Sequence, residues 1–237
     1  MSAGPDGARA AGSWKLPLLA GLVGALIGGG TVAFTARQSV RDYLLENPEI
    51  LPEAMQRLED RETAAVIRAN RAVIETPFAG AWAGAKDGDV VLVEFFDYAC
   101  GFCRKSNPDV DRLLKEDARL KVVWRDWPVL GPDSEKAAAA SLAAAKAGRF
   151  KPFHDRLFAA GRPSPDAVAA ARSEAQVGGD VPPAEVEAEI GRNFELARAL
   201  RSNGTPLFVV GDKVLRGAVG YQALKDAVGE ARARSRA

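Results

Sequence analysis

The sequence predicts an α/β fold: a mixed central sheet flanked by helices, with a long helical insertion before the last strands. Three observations carry this expectation. Val90-Val91-Leu92-Val93-Glu94-Phe95-Phe96 is an apolar run holding one acid, the pattern of a strand covered on both faces. Helical spacing after Cys103 gives way to Leu120-Lys121-Val122-Val123-Trp124, a second strand, so the order is strand, helix, strand. Leu207 to Val210, Gly211-Asp212-Lys213 and Val214-Leu215 then read as a tight hairpin followed by a terminal helix from Tyr221.

Upstream of this unit, residues 16–36 (LPLLAGLVGALIGGGTVAFTA) carry no charge, and at ~1.5 Å per helical residue they match the roughly 30 Å core of a bilayer. They are read as a transmembrane helix or uncleaved signal anchor. Arg9 and Lys15 precede the span, which makes residues 1–15 a cytoplasmic tail and puts everything after Arg37 on the far side. The rival reading is a cleaved secretory signal ending at Thr31-Val32-Ala33.

Residues 39–75 are polar and helical, with Asn47-Pro48-Glu49 as cap, first-turn proline and first-turn acid, and Pro52 marking a kink or restart. Leu44, Leu51, Leu58 and Ala65 recur every seven residues with Met55 between them. Such a stripe either faces partner helices or folds back on its own domain. Residues 76–89, with Pro77, Gly80, Gly84 and Gly88, have the punctuation of a linker or entry loop, so the globular domain is set at 76–237. Its insertion, about 130–202, holds an alanine-rich helix from Ser134 to Ala147, a second from Phe150 to Ala160, and further helix broken at Gly178-Gly179 and Pro182-Pro183.

The 237 residues carry 32 basic and 31 acidic side chains, a net charge of +1, so no nucleic acid is expected as a partner. The two cysteines, Cys100 and Cys103, are separated by two residues, too short a loop for a structural staple. Zinc wants four ligands and His154 is the one histidine, so a metal centre would need a second chain. Placed at a helix start after a buried strand, Cys100 meets the positive end of the helix dipole and unpaired backbone N–H groups, which favour its thiolate. Cys100 is therefore the expected nucleophile, and Cys103, one turn deeper, the resolving thiol. Glu94 in an apolar strand is expected to have a raised pKa and to carry protons near neutrality; the alternative is an acid reaching water or Arg125. Asp97 is read as a loop or capping residue, and His154, spaced with Phe153, Leu157 and Phe158, as a packing residue.

The segment Glu94-Phe95-Phe96-Asp97-Tyr98-Ala99-Cys100-Gly101-Phe102-Cys103 resembles the active-site segment of the DsbA family of thioredoxin-fold proteins. Phe153-His154-Asp155-Arg156-Leu157-Phe158 is similar to that family's helical insertion, and Gly204-Thr205-Pro206-Leu207-Phe208-Val209-Val210 to its proline loop and following strand. The resemblance, over Val90 to Val228, implies a thioredoxin fold, a cis Thr205–Pro206 bond facing the cysteines and docking substrate with Gly101 and Phe102, and proton movement by Glu94. Strongly oxidising members carry proline and histidine between the cysteines. Here Gly101-Phe102 stands there, so oxidase strength is not implied. Val40 to Leu51 looks similar to the N-terminal oligomerisation region of ScsC-type members, some of which are trimers with isomerase activity.

The expectation is thus a thiol:disulfide interchange protein, isomerase or oxidoreductase, needing no bound cofactor. It would be anchored in the inner membrane, face the periplasm or extracytoplasmic space, and self-associate, a trimer being one option. Its partners would be unfolded or misdisulfided proteins and a membrane redox protein, a reductase of DsbD/ScsB type or an oxidase of DsbB type. The alternatives are a disulfide-forming oxidase of DsbA type and, in another class, a copper- or zinc-binding oligomeric scaffold.

Overall fold

A computed structural model describes residues 40–235. The membrane helix expected over 16–36 and the tail before it lie outside the described residues, and among the described residues no helix is long and apolar enough to cross a membrane. The chain divides into two compact units, Met1–Arg57 and Leu58–Ala237. In the first, residues 40–46 are helical and a turn at 48–49 precedes a new helix, α1 (Ile50–Glu75), with Pro52 in its opening turn. The restart falls where Asn47 and Pro48 interrupt the pattern: the Asn47 side chain and N–H both donate to the Tyr43 carbonyl, closing the earlier helix. Leu51 and Met55 are exposed.

The second unit holds the sheet. Its elements are β1 (Trp82–Gly84), β2 (Val90–Phe96), α2 (Gly101–Glu116), β3 (Leu120–Asp126), α3 (Pro132–Lys146), α4 (Phe150–Ala159), α5 (Pro165–Glu174), α6 (Pro183–Ala199), β4 (Leu207–Val210), β5 (Lys213–Arg216) and α7 (Tyr221–Arg234). The strand order is β1-β3-β2-β4-β5. The β2–β3 pair is parallel and the other three pairs are antiparallel, which is the mixed sheet expected from strand, helix, strand and a terminal hairpin. Gly211, at φ +57, opens that hairpin's turn. The four helices of the insertion break at Gly179 and Pro182, as the sequence signals.

One expectation is corrected. The stretch 76–89, read as a linker or entry loop, contains β1, whose Trp82, Ala83 and Gly84 pair with Val123, Val122 and Lys121. Its three residues carry no strand periodicity of their own; pairing with the buried β3 makes them a strand.

Alternation along β2 and β3 sorts the core into two layers. Leu92 and Phe96, with Leu120, Val122 and Trp124, pack beneath α2, α3 and α4 in the larger cluster. Val93, Phe95 and Val123 pack on the opposite face with Ile67 and Ile74 of α1 and Leu196 and Leu200. The C-terminal half of α1 thus lies on the sheet, further held by Arg68 and Arg71, whose guanidinium groups reach Asp212 at 2.8 and 2.5 Å. Leu58, in the N-terminal half of α1, stays exposed.

Candidate active site

The site is built where β2 ends. Cys100 occupies the N-cap of α2 with extended backbone (φ −78°, ψ 116°), and its sulfur accepts the Cys103 N–H at 3.3 Å. The Cys100 N–H donates to the Asp97 carbonyl at 3.0 Å, which sets the turn. From the loop before β4, the peptide bond Thr205–Pro206 is cis, and the Cys100 thiol donates to the Thr205 carbonyl at 3.3 Å. Proline, having no N–H, presents no backbone donor at its own position facing the cysteines. Both sulfurs are free thiols, Cys100 5% exposed and Cys103 fully buried, while Phe102 between them is 64% exposed.

These placements separate the two thiols electrostatically. The Cys103 side chain donating to the Cys100 sulfur is the main influence lowering the Cys100 pKa to about 6, against the opposing effect of burial; the Thr205 side chain and the backbone N–H groups of Cys103 and Phe102 add to it. With that value Cys100 is roughly 90% thiolate at pH 7. Burial pushes the Cys103 thiol far above its ordinary value, and the hydrogen bond it gives to Cys100 adds to the rise. The pair is therefore an ionised thiolate above a protonated, shielded thiol.

Glu94 is fully buried on the same face of β2. Desolvation raises its pKa to about 8, while a hydrogen bond donated by Trp124 Nε1–H to its Oε2 at 3.1 Å pulls the other way. Its Oε1 has no hydrogen-bond partner. The alternative pairing with Arg125 does not occur. Trp124 and Arg125 are consecutive on β3, so their side chains leave opposite faces, and Arg125 is engaged by Glu189, Asn193 and the end of α1.

Asp97 does more than close a loop. Buried at 2% exposure, it accepts from the Ala99 N–H (2.7 Å) and Ser134 hydroxyl (2.7 Å) on Oδ1, and from the Val129 (2.8 Å) and Leu130 (2.9 Å) N–H groups on Oδ2. It fastens the cysteine turn to the β3–α3 loop. His154 is buried among Phe96, Tyr98, Trp124, Phe150 and Phe158, with ring centroids 4.8 to 5.6 Å apart, and burial holds it neutral. Its place is in the packing, as its spacing suggested. Trp124 and the Asp97 partners escaped the sequence reading, because the β2–β3 register that sets Trp124 beside Glu94 is a tertiary fact. Among the described residues no three His, Cys, Asp or Glu side chains gather as a metal ion would need.

A thiolate at a helix N-terminus, a buried partner thiol and a cis-proline loop on a mixed sheet form an arrangement that can carry out thiol–disulfide exchange. Residues 91–229 match the model of the DSBA-like thioredoxin domain, and the chain belongs to that family. Residues 37–65 match the copper resistance protein ScsC N-terminal domain. The structure is similar to a linker-deletion mutant of Proteus mirabilis ScsC (30% identity, TM-score 0.71, covering 84% of this chain and 94% of that one). It also resembles a thioredoxin-like oxidoreductase from Silicibacter pomeroyi (38% identity, TM-score 0.61, 67% and 95%). A third similar structure is the thiol-disulfide exchange protein alpha-DsbA2 from Wolbachia pipientis (25%, TM-score 0.64, 72% and 96%). Over 78 residues it is 36% identical to the Na(+)/H(+) antiporter NhaA 3 of Salinispora tropica, covering 32% of this chain and 12% of that protein; it spans about an eighth of the length of such curated relatives.

Proposed function

We propose that this protein exchanges disulfides in proteins outside the cytoplasm, with Cys100 attacking, Cys103 resolving the mixed disulfide, Glu94 carrying the proton of Cys103, and Gly101, Phe102, Thr205 and Pro206 receiving the substrate chain beside the thiolate. The observation that carries this reading is the contrast between the two sulfurs: one capping a helix with its pKa lowered to about 6, the other buried behind it with its proton held. Within exchange chemistry we favour isomerisation over bond formation. Gly101-Phe102 adds no polar group to stabilise the thiolate further, and the exposed Leu51 and Met55 suit self-association of the N-terminal helix. Residues 16–36 would anchor the protein, and an isomerase then needs a membrane reductase to keep Cys100 reduced.

The test is reactivation of scrambled ribonuclease by the detergent-purified full chain, alongside its redox equilibrium with glutathione. Reactivation that vanishes in Cys100→Ser supports the proposal. A strongly oxidising potential without reactivation rejects isomerisation, and a Cys100–Cys103 pair that does not equilibrate with glutathione rejects exchange altogether.

A further inference from the structure

The acid beneath the cysteines has an uncharged partner. Glu94 lies directly across from Trp124 in the parallel β2–β3 register, and the indole N–H is the one hydrogen bond its carboxyl receives among the described residues. The donor is immobilised: Phe150 and His154 flank the indole at centroid distances of 5.4 and 5.3 Å. A cation at this position would hold Glu94 ionised, whereas an indole donates without charge and lets the acid stay protonated. The titratable groups acting on Glu94 are few. Cys100 and Asp111, both on the α2 side, raise its proton affinity, and Cys103 is coupled to it in return. Asp111 is partnered by Lys151 at 2.9 Å; Tyr98, buried and neutral, is also coupled to Glu94, and His154, packed against the indole, is buried and neutral.

We propose that Trp124 is a positioning residue for disulfide exchange: by occupying Oε2 it leaves Oε1 as the oxygen that exchanges a proton with Cys103, and it holds the carboxylate formed when that proton departs. This rests on the exchange reading of Cys100 and Cys103. When a substrate thiolate attacks Cys100 of the disulfide form, a substrate–Cys100 bond forms and the Cys100–Cys103 bond breaks. The leaving electron pair goes to the Cys103 sulfur, which takes the proton from Oε1, so the negative charge passes from substrate to Glu94. Resolution runs the same transfer backwards: Oε1 accepts the Cys103 proton as Cys103 attacks Cys100 and the substrate leaves reduced as thiolate.

The experiment is the pH dependence of disulfide opening by dithiothreitol in the full chain, followed by stopped flow, for the native protein, Trp124→Phe, Glu94→Gln and the double variant. A hydrogen bond to a charged group is worth enough that its loss moves the Glu94 midpoint from about 8 upward by roughly one to two pH units. The expected result is that shift in Trp124→Phe, loss of the limb in Glu94→Gln, and no further change in the double variant. Coincident profiles for native and Trp124→Phe overturn the proposal, as does an equal Trp124→Phe effect in the Glu94→Gln background. If Trp124→Phe does not fold by circular dichroism, site-specific benzothienylalanine, which keeps the ring shape and lacks the N–H, replaces it with the same criteria. A native pair that dithiothreitol opens but glutathione cannot re-form sinks the exchange reading instead.

Discussion

Thr205 and Cys100, 105 residues apart in the chain, meet across 3.3 Å: the Thr205 carbonyl accepts a hydrogen bond from the Cys100 thiol, and the Thr205 side chain helps lower that thiol's pKa. The same residue therefore touches both protonation states of the nucleophile. Thr205→Val keeps the β-branched shape and the backbone carbonyl but removes the hydroxyl. The Cys100 midpoint, read from thiolate absorbance, should rise from about 6 by somewhat less than one unit. An unchanged midpoint would show that the Cys103 side chain and the backbone donors hold the thiolate without the Thr205 hydroxyl.

On the exchange reading, the two residues between the cysteines are expected to tune how oxidising the pair is. Gly101 is the first residue of α2, a Cβ there would meet nothing within 4 Å, and Cys100 before it has the extended backbone that a following proline requires. Proline thus fits at 101 without strain, and histidine at the exposed position 102 would place a cation beside the Cys100 sulfur. Gly101→Pro with Phe102→His is expected to lower the Cys100 midpoint by about one unit and to make the pair about 30 mV more oxidising in a glutathione titration. Ribonuclease reactivation should fall as the reduced form becomes more stable.

How far these features were legible depends on whether their causes are local. The β2 run, the cysteines at a helix start, the Gly211-Asp212 turn and the breaks at Gly179 and Pro182 follow from neighbours in sequence, and all were readable there. Glu94 was readable as a buried acid because apolar residues surround it in the strand. Its partner was not: Arg125 and Trp124 were equally close in sequence, and only the register and the two-residue pleat decide for Trp124. Asp97 shows the same limit. Its cap on Ala99 is local, but Val129, Leu130 and Ser134 reach it from more than 30 residues away.

Buried acids also leave a mark on stability. Glu94, and Asp126, whose Oδ2 is held by the Ser141 hydroxyl, both bind protons more tightly folded than unfolded, chiefly through desolvation. For Glu94 the stability of the neutral acid is whole below about 4.5 and is lost as pH rises through about 8. Cys100 runs the opposite way in the dithiol, its contribution present above 9 and lost as pH falls through about 6. The oxidised protein, in which neither sulfur titrates, isolates the acids. There Glu94→Gln, with its amide oxygen facing the Trp124 N–H, should exceed the native protein in urea-melt stability at pH 8 by on the order of 3 kcal/mol and lose that advantage near pH 5. A gap independent of pH would mean that Glu94 is ionised in the fold.

On the opposite face of the sheet, Arg125 directs all three of its guanidinium nitrogens at acceptors. Nε donates to the Ile74 carbonyl at 2.9 Å, Nη1 to Glu189 at 3.2 Å and Asn193 at 2.8 Å, and Nη2 to the carbonyls of Val73 and Thr76. Three of these acceptors lie at the end of α1, where backbone carbonyls have no helical partner and a cation is favoured. One buried side chain thus caps α1 from the sheet. A lysine offers three donors from a single point and cannot reproduce the planar fork. Arg125→Lys should therefore lose about 2 kcal/mol and Arg125→Met about 3 to 5 kcal/mol in urea denaturation, since Met leaves the buried Glu189 with Arg192 and Asn193 but without its buried cation. Glu189→Gln added to Arg125→Met should recover part of that loss. Because Trp124 and Arg125 point to opposite faces, the Cys100 midpoint of Arg125→Lys should stay near 6. A shift in that midpoint matching the stability loss would show that the α1 attachment and the cysteine site are coupled through β3, and native stability in Arg125→Lys would show that the fork carries no special weight.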